Sequence, residues 1–422
     1  MLAVPCEGRS RPDDATSHSA ARPAASLSAL AARELVLSCV QVHDVVTVRL
    51  ADAVGHVLAS DLRARGDSPP ADLSSVDGFA IACDESAAVG ARFQLVGESA
   101  AGCPFAGTLQ RGQAVQIFTG AELPAGARRV LPTECVTAQA AAVTVTARDG
   151  ETHIRQRAQN HSAGAVVLHA GAELGPLELA LAASAGHGRL AVHRPARIAH
   201  LVTGSELVPA GVATGPAQIP DSNGPLVASL ARRAGAELVG QTLVGDDLAA
   251  CRAALEAMPP HDVLLISGGA GYGGYDFAVP LLTSLGFAIH FRSVAIRPGK
   301  PLAFATRGRQ LAFALPGNPV SHWATWQLFV GPALLRLAGH ECPSVLPLHC
   351  GQLDTAWSGG VSVREVFWPV RVEWREKGWQ VHPCRFGNSG DLAGVAGANA
   401  LLCAPWSGHA DVGSTVQFIF CR

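Results

Sequence analysis

The segment SVAIRPGKPLAF (293–304) sets two cations, Arg297 and Lys300, on either side of a Pro298–Gly299 turn. Like charges held so close repel unless an anion lies between them, so the turn reads either as an anion site or as two solvated charges on a hairpin. Of 32 basic residues only Lys300 and Lys377 are lysines. A compact ammonium kept against that bias toward guanidinium tilts position 300 toward a task. A second segment, DVLLISGGAGYGGYDF (262–277), runs from apolar residues into glycines. Gly268 and Gly269 either let backbone N–H groups converge on a phosphate or simply let the chain reverse. Ser267 adds a hydroxyl there, and Asp276 a carboxylate able to hold a cation or orient a donor. In a third, FALPGNPVSHWATW (313–326), Pro316–Gly317 turns the chain, Asn318 caps and Pro319 suits the first helical position. The positive end of that helix suits an anion, although an ordinary well-capped helix has the same sequence. Glu206 in LVTGSEL (201–207), Asp77 beside Gly78 in SSVDGFAIA (74–82) and Thr119 in FTGAELPAG (118–126) complete the chemically capable residues.

The elements that position these residues follow from periodicity. Over 196–338 the apolar runs RIAHLVTG, AELVGQTLV, DVLLISGG and QLAFALPG alternate with the helical patterns SNGPLVASLARRAG and DDLAACRAALEAM. In the first helix Asp221, Ser222 or Asn223 can cap and Gly235 ends it; in the second Asp246 or Asp247 caps, with Leu248, Cys251 and Leu255 on one face. This alternation predicts a parallel sheet covered on both faces, with ligands beyond the carboxyl ends of its strands. Residues 45–160 carry short β-type runs broken by glycine and proline, the sign of a small, mainly β domain, and β-type runs return over 341–422. SLSALAARELVLSCV (26–40) reads as a serine-capped helix, and residues 1–25, rich in Ala, Pro, Ser and Arg, as a disordered extension.

Composition narrows the function. The chain has 422 residues, 48% hydrophobic and 16% charged, with a formal net charge of −2. It is globular, has no global basic field for nucleic acid, and carries no apolar stretch of about 18 residues for a membrane. Eleven cysteines, with no C-x-x-C pair and no secretory signal, suggest reduced, mostly buried thiols in a cytoplasm.

Together these segments are more specific than any one of them. SVDGFAIA, FTGAELPAGA, Glu134 in PTECV, VTGSEL, IPDSN, GDD (245–247), ISGG…YD, IRPGKPLAF and LPGNPVS follow in order over roughly 26–420. The chain resembles the MoeA and gephyrin E-domain family, the molybdopterin molybdenumtransferases. The resemblance implies a multidomain α/β and β fold: a linking and dimerisation domain (26–52 plus 156–195), a mainly β domain (53–155), a parallel-sheet α/β molybdopterin-binding domain (196–340) and a C-terminal β domain (341–422). It implies a cytoplasmic homodimer that inserts molybdate into adenylylated molybdopterin and releases AMP with Mg2+ present. Further partners are other cofactor-biosynthesis proteins or a client molybdoenzyme. By position, Ser267, Gly268 and Gly269 hold a pterin-side phosphate, and Arg297 and Lys300 attract molybdate. Asp276, Glu206 and Asp246 are candidates for magnesium or substrate contacts. Thr203, Gly204, Asp221, Ser222, Asn223, Pro298, Pro301, Pro316, Gly317 and Asn318 contact substrate, while Asp77 and Thr119 close the cleft from the partner subunit. The catalytic set is Asp77, Glu206, Asp276 and Lys300. The chain departs from the family pattern at Ser205, Gly271, Gly274, Gln159, Asn160 and Arg128, where acids or, at Gly271, a serine are usual. Those losses imply a second reading, a slow or non-catalytic paralogue that binds the cofactor and delivers it to a client or acts as a scaffold.

Overall fold

The apolar runs of 196–338 become one six-stranded sheet in the computed structural model, which describes residues 26–83, 87–269, 277–376, 378–404 and 407–421. In chain order its strands are β1 (Arg197–Thr203), β2 (Glu237–Val244), β3 (Val263–Ser267), β4 (Ala288–Phe291), β5 (Ala303–Arg307) and β6 (Gln310–Leu315). In space they lie β2-β1-β3-β6-β5-β4. β2, β1, β3 and β6 are parallel, and β5 is antiparallel to both of its neighbours. The carboxyl ends of β1, β2, β3 and β6 therefore share one edge, and the chain reverses its winding between β1 and β3, where such sheets leave a crevice.

Side-chain parity sorts the sheet into two faces. Ile198, Val263, Leu265, Leu311, Phe313 and Leu315 pack beneath Val227, Leu230, Ala324 and Trp326. Ala199, Leu201, Leu264, Ile266, Ala312 and Ala314 pack against Cys251, Leu255, Ala278 and Leu281. The first face is covered by α1 (Asn223–Arg233) and by α4 (Pro319–Thr325), which runs on through Trp326–Val330 and Gly331–Leu337. The second is covered by α2 (Leu248–Glu256) and α3 (Ala278–Ser284). Asp247 caps α2 by accepting from Ala250 N at 2.7 Å. Cys251 and Leu255 are buried as the pattern requires, but Leu248 at the first turn is exposed.

The C-terminal strands His349–Leu353, Glu365–Arg375, Gly378–Pro383, Ala400–Cys403 and Thr415–Phe420 close on themselves as a small barrel, since Glu365–Arg375 pairs with both Gly378–Pro383 and Ala400–Cys403. The two-residue strand Ile296–Arg297 adds in parallel to Glu365–Val366, so the barrel holds one side of the cationic turn. A third six-stranded sheet, a half-barrel, runs from Gly78 to Val145. Val45–Arg49 pairs antiparallel with Arg189–His193. The helix Ala29–Ser38, capped by Ser28 accepting from Ala31 N, packs on the α/β unit, where Arg33 donates to Leu328 O at 2.8 Å.

All ten described cysteines are free, but only Cys251 is buried; Cys103 and Cys350 are exposed, which corrects the expectation of mostly buried thiols. Among the described residues no helix is long and apolar enough to cross a membrane.

Candidate functional site

The strand ends, the cationic turn and the C-terminal barrel line one cleft of about 850 Å³. β1 brings Thr203, Gly204 and Glu206; the start of α1 brings Asp221, Ser222 and Asn223; β2 brings Asp246. Gly268 and Gly269 come from β3, Arg297, Pro298, Lys300 and Pro301 from the turn before β5, and Pro316, Gly317 and Asn318 from β6. Sequence reasoning missed the wall opposite, where Arg364, Trp368, Asn388 and Ser389 reach in from the barrel. The signal was present in SVREVFW and RFGNSG, but nothing local joins those segments to a turn roughly 65 to 90 residues earlier.

The turn is shaped by contact. Gly299 has φ +103°, and a Cβ there would lie 2.6 Å from the Thr325 methyl group. Val294 N and Leu302 N both donate to the Lys300 carbonyl. Arg297 donates to Gly359 O at 3.0 Å, and Arg364 to Ile296 O at 3.4 Å, so both guanidinium groups are held at the seam between sheet and barrel. The charged groups lining the described cleft are three bases, Arg297, Lys300 and Arg364, and three acids, Glu206, Asp221 and Asp246. The cleft is thus bipolar, with the acids beyond β1 and β2 and the bases on the turn and barrel.

Several residues have a different task from the one their position suggests. Ser267 is buried, and its hydroxyl sits 2.6 Å from His200 Nε2, away from the cleft; it shares the parity of Val263 and Leu265 and so points under α4. Its side chain is not among those that line the cleft. The Gly268 N–H donates to Leu315 O, so this glycine forms floor and not a free donor. The Thr203 hydroxyl donates to Ser267 O at 3.0 Å. Asn318 stands at the N-cap of α4, yet its side chain donates to Ser389 Oγ at 2.7 Å and ties sheet to barrel instead of capping. Asp221 accepts from Gly224 N at 3.0 Å and starts α1, and Asn223 donates to Gly317 O at 2.7 Å. Ser205 and Asp246 bond reciprocally, Ser205 N to the carboxylate and Asp246 N to the Ser205 hydroxyl, so the hydroxyl at 205 gives Asp246 N an acceptor where the family pattern has an acid.

Asp77 and Thr119 lie in the half-barrel. Thr119 N and its hydroxyl both donate to Asp77 Oδ1, at 2.7 and 2.8 Å, which holds that carboxyl below its ordinary range. Neither lines the cleft of its own chain. Gln159 and Asn160, where the family pattern has acids, make loop bonds to Gln156 N and to the Ser68 hydroxyl. Asp276, Gly271 and Gly274 fall outside the described residues.

Comparison with known proteins agrees with this geometry. Residues 27–186 match the MoeA N-terminal region (domain I and II), and residues 199–336 match the probable molybdopterin binding domain. A molybdopterin molybdenumtransferase from Nostoc is 35% identical over 306 residues, covering 70% of each chain. One from Staphylococcus epidermidis is 28% identical over 368 residues, covering 85% of this chain and 87% of that relative. The crystal structure of a molybdopterin biosynthesis MoeA protein from Pyrococcus horikoshii superposes with a TM-score of 0.79 at 27% identity, over 94% of this chain and 99% of that one. The chain belongs to the MoeA family, the molybdopterin molybdenumtransferases of molybdenum cofactor biosynthesis.

Proposed function

We propose that the chain inserts molybdate into adenylylated molybdopterin with release of AMP, in a magnesium-dependent reaction of a cytoplasmic homodimer. The observation that carries this reading is the bipolar cleft, which Arg297, Lys300 and Arg364 line together with Glu206, Asp221 and Asp246. Fixed cations of this kind concentrate a metal oxyanion and stabilise the charge that develops as a phosphoanhydride opens to water. The water adds to phosphorus and AMP leaves, while the pterin keeps its own phosphate.

The donor set suits magnesium. Among the described residues no group of three or more His, Cys, Asp or Glu is placed to cage a metal ion. Mg2+ does not need one, since it binds through one or two carboxylates together with substrate phosphates and water. Glu206 and Asp246 would supply those carboxylates, and the bound ion would neutralise charge on the scissile phosphates.

The second reading, binding and delivery without turnover, is favoured by Ser205, which fills an acid's place with a hydroxyl committed to Asp246 N. Purified protein with adenylylated molybdopterin, molybdate and Mg2+ separates the two. Released AMP supports the enzyme, and Lys300→Ala should slow release about 100-fold. Tight binding without release leaves only delivery.

A further inference from the structure

Two histidines lie fully buried beneath the cleft, His200 on β1 and His322 on α4. Both are on the face of the sheet that is otherwise packed with Ile198, Val263, Leu265 and Trp326. Buried polar groups in such a place are costly unless paired. They are joined through Ser267: His200 Nε2 lies 2.6 Å from its hydroxyl, and His322 Nδ1 lies 3.5 Å from the same oxygen and 3.3 Å from Pro316 O. On the far side of His200, Gln241, its partner in strand register, places its amide nitrogen 2.8 Å from His200 Nδ1 and 2.9 Å from Gly224 O.

The proton positions follow from the acceptors. The Gly224 carbonyl accepts only, so it fixes the Gln241 amide with nitrogen inward, and His200 Nδ1 must accept. His200 Nε2 therefore carries its proton and donates to Ser267. His322 Nε2 is buried without a partner. A proton there would be an unpaired buried N–H, whereas a proton on Nδ1 is shared between Pro316 O and the Ser267 oxygen, so the Nδ1–H form joins His322 to Ser267 with the ring as donor. Burial keeps both rings neutral: His200 is driven well below its usual value and His322 down to about 4.

Each end of this chain meets the cleft. Ser267 precedes Gly268, whose absent Cβ would fall 2.6 Å from Thr203 O. Pro316 lines the cleft from β6, and Gly224 is the second residue of α1. We propose that His200 and His322 are positioning residues that clamp the carboxyl ends of β1, β3 and β6 through Ser267, setting the spacing of the cleft floor without touching the ligand. The ligand consequence rests on the cleft being the oxyanion site.

Four full-length variants test the clamp. Glutamine presents a donor where His200 Nε2 does, and asparagine where His322 Nδ1 does. His200→Gln and His322→Asn should keep hydrogen exchange of the segments 267–269 and 315–317, and molybdate affinity, within about twofold of wild type. His200→Leu and His322→Ala should speed that exchange about tenfold and weaken molybdate about five- to tenfold, with cooperative unfolding retained. Unchanged exchange in the Leu and Ala variants, or isosteric variants no better than these, overturns the clamp. If exchange follows the expected pattern while even wild type binds no molybdate, the clamp stands and the assignment of the cleft falls.

Discussion

Gly268 has no room for a side chain. Its φ of +94° is open to few other residues, and a Cβ would meet the Thr203 carbonyl at 2.6 Å. Gly268→Ala should cost about 2 kcal/mol or more in urea unfolding, whereas Gly120→Ala, at φ +82° with nothing within 4 Å, should cost about 1 kcal/mol. His322 makes a separate claim about pH. In the fold its pKa is about 4, against 6.5 for an ordinary histidine, so on acidification the unfolded chain takes up a proton that the folded chain refuses. Stability should be full above about pH 6.5 and decline by about 3 kcal/mol as pH falls toward 4, with a shallower decline in His322→Asn. His200 acts in the same direction. Unfolding at a series of pH values from 7 to 4.5 measures both. Ser267 was read with the loop because glycine follows it; its parity with Leu265 already assigned its side chain to the core. The two histidines sat in plain view in RIAHLVTG and NPVSHWATW. A lone histidine in an apolar run has no partner visible in one dimension.

At the scale of elements, the strands that mattered were legible because they are long apolar runs with turns at fixed ends. Arg197–Thr203, Glu237–Val244, Val263–Ser267 and Gln310–Leu315 all form where the pattern predicts strands. The antiparallel edge was not legible: β4 and β5 flank the cationic turn, and the turn chemistry obscured AIHF as a strand. The amino end of β3 is secured by Asp262, which accepts from Arg194 at 2.6 and 2.7 Å and from Arg197 N at 2.9 Å. Burial works to raise this carboxyl, but the arginine and backbone donors outweigh it and hold the pKa far below normal. The sign is that of a depressed acid, giving stability that is present above about pH 3.9 and lost as pH falls below it. Asp262→Asn should cost about 2 kcal/mol at pH 7 and flatten the acid limb of the stability curve, read by thermal melts from pH 7 to 2.

At the scale of the whole molecule, the order of motifs along the chain identified the family, but the far wall of the cleft was hidden. Arg364 and Ser389 join Arg297 and Asn318 only because a barrel strand adds to Ile296–Arg297. Asp77 and Thr119 do not line the cleft of their own chain, and in the proposed homodimer their task would be at the partner's. Co-expressed Asp77→Ala and Lys300→Ala chains should then recover about a quarter of wild-type activity, since half of the dimers are mixed and each has one intact site; chains mixed without recovery would place the site within one subunit. The seam itself has a further consequence. Arg297 is stitched to the barrel, Lys300 leads into β5 of the sheet, and Arg364 donates back across to Ile296 O. A dianion gripped by all three would be a rivet through two plates that Asn318 and Val320 already join to Ser389, so loading the cargo should stiffen the joint further.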